Sequence, residues 1–155
     1  PNAESVHLEN FFAVPAGWAN PKLVEKWKRV RDLRRVVTGA LELERAAKNI
    51  GSSLEAAPTL YVADKADAEL LKSVPFEEVA ITSGIHIVSG EAPPGAFALP
   101  DLKGVAVIAN LSAGKKCERC WRVLTEVGSH ADHPDLCTRC DAAVAESGRA
   151  EKSPA

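Results

Sequence analysis

The chain has 155 residues, 46% of them hydrophobic and 26% charged, with a formal net charge of −2. That balance suits one ordinary folded domain or two small ones and argues against an intrinsically disordered chain. No apolar run approaches the roughly 20 residues of a membrane span and no signal peptide opens the chain, so neither a membrane partner nor a secretory route is expected.

Methionine is absent and the sequence opens in what reads as the middle of a polar segment, so a piece of a longer protein is expected. Residues 1–17 have no clear period. Val6, Leu8, Phe11, Phe12 and Val14 are apolar and suited to lie across another element, and Pro15 and Gly17 break the backbone. Asn20-Pro21 is a helix start, an N-cap side chain followed by proline at the first helical position. Leu23, Trp27, Val30, Leu33, Val37, Leu41 and Ala47, then Ile50 and Leu54, recur at steps dominated by three and four. They predict an amphipathic helix of about 30 residues with one weak point, Gly39, and a stop at Gly51-Ser52-Ser53. A single helix cannot bury its own apolar stripe, and further helices from outside this chain are expected against it. Residues 22–48 carry nine Lys or Arg against Glu25, Asp32, Glu42 and Glu44. Charge alone leaves two readings open, a solvated face with local pairs such as Glu44 with Lys48, or a surface that meets phosphates.

After Pro58 the pattern changes to short segments. Leu60-Tyr61-Val62-Ala63 is a strand, residues 64–73 a short helix with Leu70 and Leu71 inward. Residues 76–81 and 85–88 are apolar stretches around Ser83-Gly84, the second more clearly a strand. Residues 91–100 hold Pro93, Pro94 and Gly95 and read as a loop, and Val105-Ala106-Val107-Ile108-Ala109 is a further strand. The sum is a small mixed β-α-β-β-β unit over residues 58–110. His7 and His86 have no metal-ligand neighbours in sequence and read as structural. No Ser/His/Asp set, carboxylate pair or glycine-rich phosphate loop stands out, so no catalytic residue is assigned.

All four cysteines lie in one stretch, Cys117-Glu118-Arg119-Cys120 and Cys137-Thr138-Arg139-Cys140, two C-x-x-C pairs separated by residues 121–136. Each pair puts two thiolates on one tight turn. The linker is long enough to fold the turns together around a tetrahedral zinc ion about 2.3 Å from each sulfur. Clustered cysteines point to a reducing cytosol rather than to two disulfides, the weaker alternative. His130 and His133 are rival ligands, but only two residues separate them and four cysteines already complete the set. Lys115, Lys116, Arg119, Arg122 and Arg139 crowd positive charge at the knuckle tips. Trp121 is either a core residue over the metal, which general grounds favour, or an exposed platform on which an unstacked base would rest. A turn of helix over residues 141–144 and a frayed tail over 146–155 complete the chain.

These residues carry a resemblance. Lys116-Cys117-Glu118-Arg119-Cys120-Trp121, then Val127-Gly128, then Leu136-Cys137-Thr138-Arg139-Cys140, resemble the C-terminal zinc domain of bacterial isoleucyl-tRNA synthetases. Upstream, Ser5-Val6-His7-Leu8, then Trp27, Val30, Arg31, Glu42, Arg45 and Lys48, and Ile50-Gly51-Ser52-Ser53-Leu54-Glu55-Ala56 resemble the end of the family's anticodon-binding domain. The resemblance is weakest over residues 57–104. A shorter zinc motif of similar type closes some DNA glycosylases. The resemblance implies an α+β chain in three parts and a tail. These are the end of a helical anticodon-binding domain (1–57), the mixed junction unit (58–110), a zinc module with one structural Zn²⁺ on Cys117, Cys120, Cys137 and Cys140 (111–145), and residues 146–155. It implies a cytoplasmic, monomeric parent enzyme that joins isoleucine to its tRNA. ATP, isoleucine and editing sites would then lie on N-terminal domains outside this chain, since neither a HIGH-type nor a KMSKS-type signature is present. This part would bind the tRNA anticodon stem-loop, with Lys28, Arg31 and Arg35 toward phosphates and Lys115, Lys116, Arg119, Trp121, Arg122 and Arg139 at the knuckle. Its alternatives are a DNA-binding zinc module and a purely structural zinc clip.

Overall fold

The computed structural model describes residues 4–150. Helix α1 spans Pro21–Ala46, with Asn20 as N-cap: its Oδ1 accepts from the Leu23 amide at 3.0 Å, and Pro21 fills the first helical position. The helix ends earlier than its apolar period suggests. Lys48 takes a left-handed conformation at φ 62°, its amide donating to the Arg45 carbonyl and the Asn49 amide to the Glu44 carbonyl. These paired bonds satisfy carbonyls that the last turn would leave open. The stop is therefore set by Lys48, and Ile50 is buried from outside the helix.

Gly39 is not a weak point. A Cβ built on it would lie 2.7 Å from the Phe97 ring, so the bare backbone here admits an aromatic side chain against the helix. Phe97 belongs to strand β3, Phe97–Ala98, which falls inside the stretch expected to be a loop. Two residues flanked by Pro and Gly are too short to show a strand period. Residues 76–81 correct a second expectation: Phe76–Ala80 is a short helix, α3, rather than a strand. Glu77 and Glu78 lie in its first turn, where acids favour a helix, and left-handed Ile81 closes it.

The other strands of the same sheet are β1 Thr59–Val62, β2 His86–Ser89 and β4 Val105–Ile108, with α2 Lys65–Lys72 between β1 and β2. The sheet order is β2-β1-β4-β3; β1 runs parallel to β2 and antiparallel to β4, which is antiparallel to β3. Register places Leu60 beside Ile87 and Val107. Alternation then buries Leu60 and Val62 with Val105 and Val107, and leaves Tyr61 and Ala106 on the half-covered face.

One core joins this sheet to α1. Val30, Leu33, Val36, Val37 and Leu41 of the helix are buried with Leu60, Val62, Leu71, Phe76 and Val107. Each such side chain contributes about 1.5–3 kcal/mol on burial. The second half of α1 thus finds its partners in the sheet, α2 and α3, where helices from elsewhere were expected. Its first half keeps Leu23 and Val24 exposed, and in the lead-in segment Phe11, Phe12 and Trp18 are exposed too, Phe12 and Trp18 meeting edge to face at 5.9 Å. Arg29 ties α1 to α2 through both carboxylate oxygens of Asp67, and that hydrogen-bonded pair raises the Arg29 pKa.

Beyond Asn110 the chain pairs back on itself. The Ala57 amide donates to the Asn110 carbonyl and the Ser112 amide to the Glu55 carbonyl. The two-knuckle module follows, with a two-stranded ribbon of β5 Lys115–Lys116 and β6 Val123–Leu124, then α4 Thr138–Ala150. Helix α4 is longer than the expected turn because the second knuckle starts it, with the Asp141 amide donating to the Cys137 carbonyl. Residues 146–150 are therefore helical rather than frayed; residues 151–155 of the expected tail lie outside the described residues. No helix among the described residues is long and apolar enough to cross a membrane.

Candidate metal centre and nucleic-acid interface

The ribbon delivers the first knuckle. Gly114 precedes β5 at φ 111°, and a Cβ there would stand 2.2 Å from the Leu124 backbone, so only glycine permits this close crossing. The Cys117 amide donates to the Arg122 carbonyl and the Trp121 amide to the Cys117 carbonyl, which closes the turn over the first cysteine pair. The Glu118 amide donates to the Asp135 carbonyl and fastens one knuckle to the other.

All four cysteines are free thiols, and their sulfurs lie within 4.8 Å of one another. Cys120 and Cys137 Sγ are 3.7 Å apart. A tetrahedron with Zn–S bonds of about 2.3 Å has edges of about 3.8 Å, so the sulfurs fit a zinc ion with little movement. Cys117, Cys137 and Cys140 are buried with Val127, and the half-buried Leu124 and Leu136 pack around them.

The electrostatics suit a cation at the centre. Burial opposes ionisation of Cys117, but amides of Cys120, Cys137 and Arg119 donate to its sulfur and bring its pKa down to about 6. At Cys137 burial comes first and the neighbouring sulfurs add to it, and the thiol is pushed up to about 12. Four adjacent sulfurs cannot all carry charge unless a metal lies among them. Bound there, zinc supplies four thiolate bonds that lock both turns and leaves no open position for a substrate. The two histidines face elsewhere. His133 Nδ1 lies 2.7 Å from Asp141 Oδ1, and His130 Nε2 is 3.2 Å from Thr138 Oγ1, bracing the linker to the first turn of α4.

Trp121 is not a core residue. It is 60% exposed, at φ 66°, with the Lys116 ammonium 5.4 Å from its ring centroid. A bulky residue in the left-handed region costs roughly 1–3 kcal/mol, and the bonds of the knuckle turn hold it there. Lys115, Lys116, Arg119 and Arg139 are also exposed. Arg122 instead turns inward, donating to the Ser83 carbonyl at 2.6 Å. Ser83 is 2% exposed; its hydroxyl donates to the Leu54 carbonyl and accepts from the Val123 amide at 2.7 Å. In the sequence Ser83-Gly84 only separates two apolar stretches, and nothing local signals that this serine seats the knuckle module on the sheet unit.

The helix residues separate as well. Lys28 and Arg31 are exposed and make no ion pair among the described residues. Arg35 pairs with Asp101 at 3.0 Å, Arg45 with Glu42, and Arg34 Nε donates to the Val79 carbonyl at 2.7 Å. The basic face is therefore partly consumed by contacts within the chain.

Comparison with known proteins agrees with this geometry. Residues 114–143 match the family described as the zinc finger found in FPG and IleRS. The chain is 51% identical over 146 residues to the isoleucine–tRNA ligase of Brucella abortus, 47% over 146 residues to that of Bartonella henselae, and 49% over 147 residues to that of Mesorhizobium japonicum. These matches cover 93–94% of this chain, which spans only 15% of the length of each relative. By sequence over nearly all its length, and by its four-cysteine knuckle, the chain corresponds to the C-terminal region of isoleucine–tRNA ligases.

Proposed function

We propose that this chain binds the anticodon stem-loop of tRNA as the non-catalytic end of a cytoplasmic, monomeric isoleucine–tRNA ligase. Its zinc is structural, and the parent's ATP and isoleucine sites lie on other domains. The observation that carries the reading is Trp121, held exposed in the left-handed region by the knuckle turn, with Lys116 beside its ring and Arg119 two residues before it. An indole fixed this way is a stacking surface for an unstacked base, and neighbouring cations serve the phosphates. Lys28 and Arg31 add positive charge that no carboxylate of the described chain takes up, with Arg35 behind them because Asp101 already engages it. Arg122 positions the knuckle from below through Ser83 rather than meeting RNA.

The test is binding of the isoleucine tRNA to the chain joined to its preceding domains, compared with duplex DNA at matched salt. Trp121→Ala is expected to remove about 1–3 kcal/mol of stacking, a loss of roughly 5- to 150-fold, with zinc content unchanged. Lys28→Ala and Arg31→Ala are expected to weaken binding and flatten its salt dependence. Parent-like tRNA affinity in zinc-loaded Trp121→Ala and Arg119→Ala would sink the base contacts. Equal preference for duplex DNA would move the reading to the DNA-binding alternative.

A further inference from the structure

Where the second half of α1 meets α3 and the turn at Ser53, the surface folds into a cleft of about 170 Å³. Arg34, Thr38, Glu42 and Arg45 line it from one face of α1, since they follow one another at helical steps of three or four. Ser53, with Ala80 and Ile81 from the end of α3, completes the lining. Both arginines are half-buried. Arg34 Nε donates to the Val79 carbonyl at 2.7 Å, which anchors the side chain and leaves its two terminal nitrogens without a partner among the described residues. Arg45 gives Nη1 to Glu42, the acid beside it in the cleft, and keeps Nε and Nη2. The Ser53 hydroxyl makes no hydrogen bond among the described residues, because Ser52 caps this turn. None of these donors is sealed in. Among the described residues the one buried side-chain nitrogen or oxygen without a partner is Arg122 Nε.

We infer that this cleft takes a phosphate of the RNA backbone, held by Arg34, Arg45 and the Ser53 hydroxyl. Two guanidiniums against one carboxylate leave the cleft positive, and their planar N–H pairs match phosphate oxygens. Half-burial strengthens the attraction relative to a cation free in water. The Thr38 hydroxyl turns back to the carbonyls of Arg34 and Arg35 and takes no part. Lys28 and Arg31 lie on the same side of α1, one and two turns before Arg34. At the opposite side, Ile81 stands two residues before Ser83, to which Arg122 and Val123 of the knuckle bond. The cleft therefore links the helix cations to the root of the knuckle.

The inference rests on the tRNA reading above, and its test lets the two fail separately. Affinity for the isoleucine tRNA is measured across a range of salt with the chain joined to its preceding domains, for the parent, Arg45→Gln, Glu42→Gln and Ser53→Ala. Arg45→Gln is expected to bind about 10-fold more weakly, with a salt slope lower by about one. Ser53→Ala is expected to lose about 2- to 10-fold. Glu42→Gln removes a repelling charge and is expected to bind more tightly. If Arg45 served only to pair with Glu42, both of their variants would weaken binding together, and that result would overturn the site. Parent-like affinity and slope in Arg45→Gln would remove the site and leave the tRNA reading standing, whereas a parent that binds no tRNA would end both. Inorganic phosphate is titrated separately against the same proteins. Saturable phosphate binding that Arg45→Gln abolishes, with tRNA affinity unchanged, would assign the cleft to a free anion and overturn its assignment to RNA.

Discussion

Zinc affinity and acidity meet at Cys117. Metal binding displaces whatever protons the ligands carry. With its pKa near 6, Cys117 is already a thiolate at neutral pH and releases no proton there, whereas below about pH 6 it must release one. Cys137, held near 12, stays protonated in the free protein across that range and adds a constant dependence. Apparent zinc affinity is therefore expected to fall with falling pH, and to fall more steeply below pH 6 than above it. Chelator competition on either side of pH 6 checks this, and one unbroken slope would contradict the amide-stabilised Cys117. The gathering of the four cysteines was legible in the sequence, since two C-x-x-C pairs at this spacing have few other uses. The exposure of Trp121 was not. It depends on a left-handed backbone angle, and composition, which places tryptophan inside, says nothing of that angle.

Among the elements, α1 shows where periodic reading succeeds and where it stops. Asn20-Pro21 marks its start because capping chemistry is local. Its end was misplaced because Lys48 adopts a conformation that glycine would have announced. Gly39 invites a direct test. Alanine is worth up to about 1 kcal/mol more than glycine inside a helix. Here its methyl would meet Phe97 at 2.7 Å, and overpacking costs about 1–3 kcal/mol. The steric term wins, so Gly39→Ala is expected to lower stability by about 1 kcal/mol. In a Phe97→Ala background the same change is expected to raise it. Urea unfolding of the four combinations gives the coupling, and additive effects would mean that the ring does not rest on the glycine. Strand β3 went unread for the related reason that its partner surface is distant in sequence.

At the scale of the molecule there are two cores of unlike strength. The first, running from Val30 to Val107, is broad and apolar. Among the described residues the second buries only Val127 beside its cysteines, with Leu124 and Leu136 partly covered. So small a cluster does not fold without its metal. Complete chelation is expected to collapse the amide shift dispersion of residues 115–140 while the sheet residues keep theirs. Retained dispersion at the knuckles after zinc removal would refute a metal-dependent fold. The order of helix, mixed unit and knuckle was readable from changes in hydrophobic period. How the parts join was not, because Ser83 and the pairing of residues 55–57 with 110–112 are contacts between segments far apart in the chain. That pairing has a mechanical consequence. The Ala57–Asn110 and Glu55–Ser112 bonds continue the β1–β4 pairing out toward the knuckle, so a load on the knuckle tip enters this ladder at its open end. An antiparallel pair pulled at its open end unzips one bond at a time, beginning with Glu55–Ser112. Together with the bonds of Arg122 and Val123 to Ser83, this pairing clamps the root of the knuckle at two separate places, so both must give before the knuckle parts from the sheet unit.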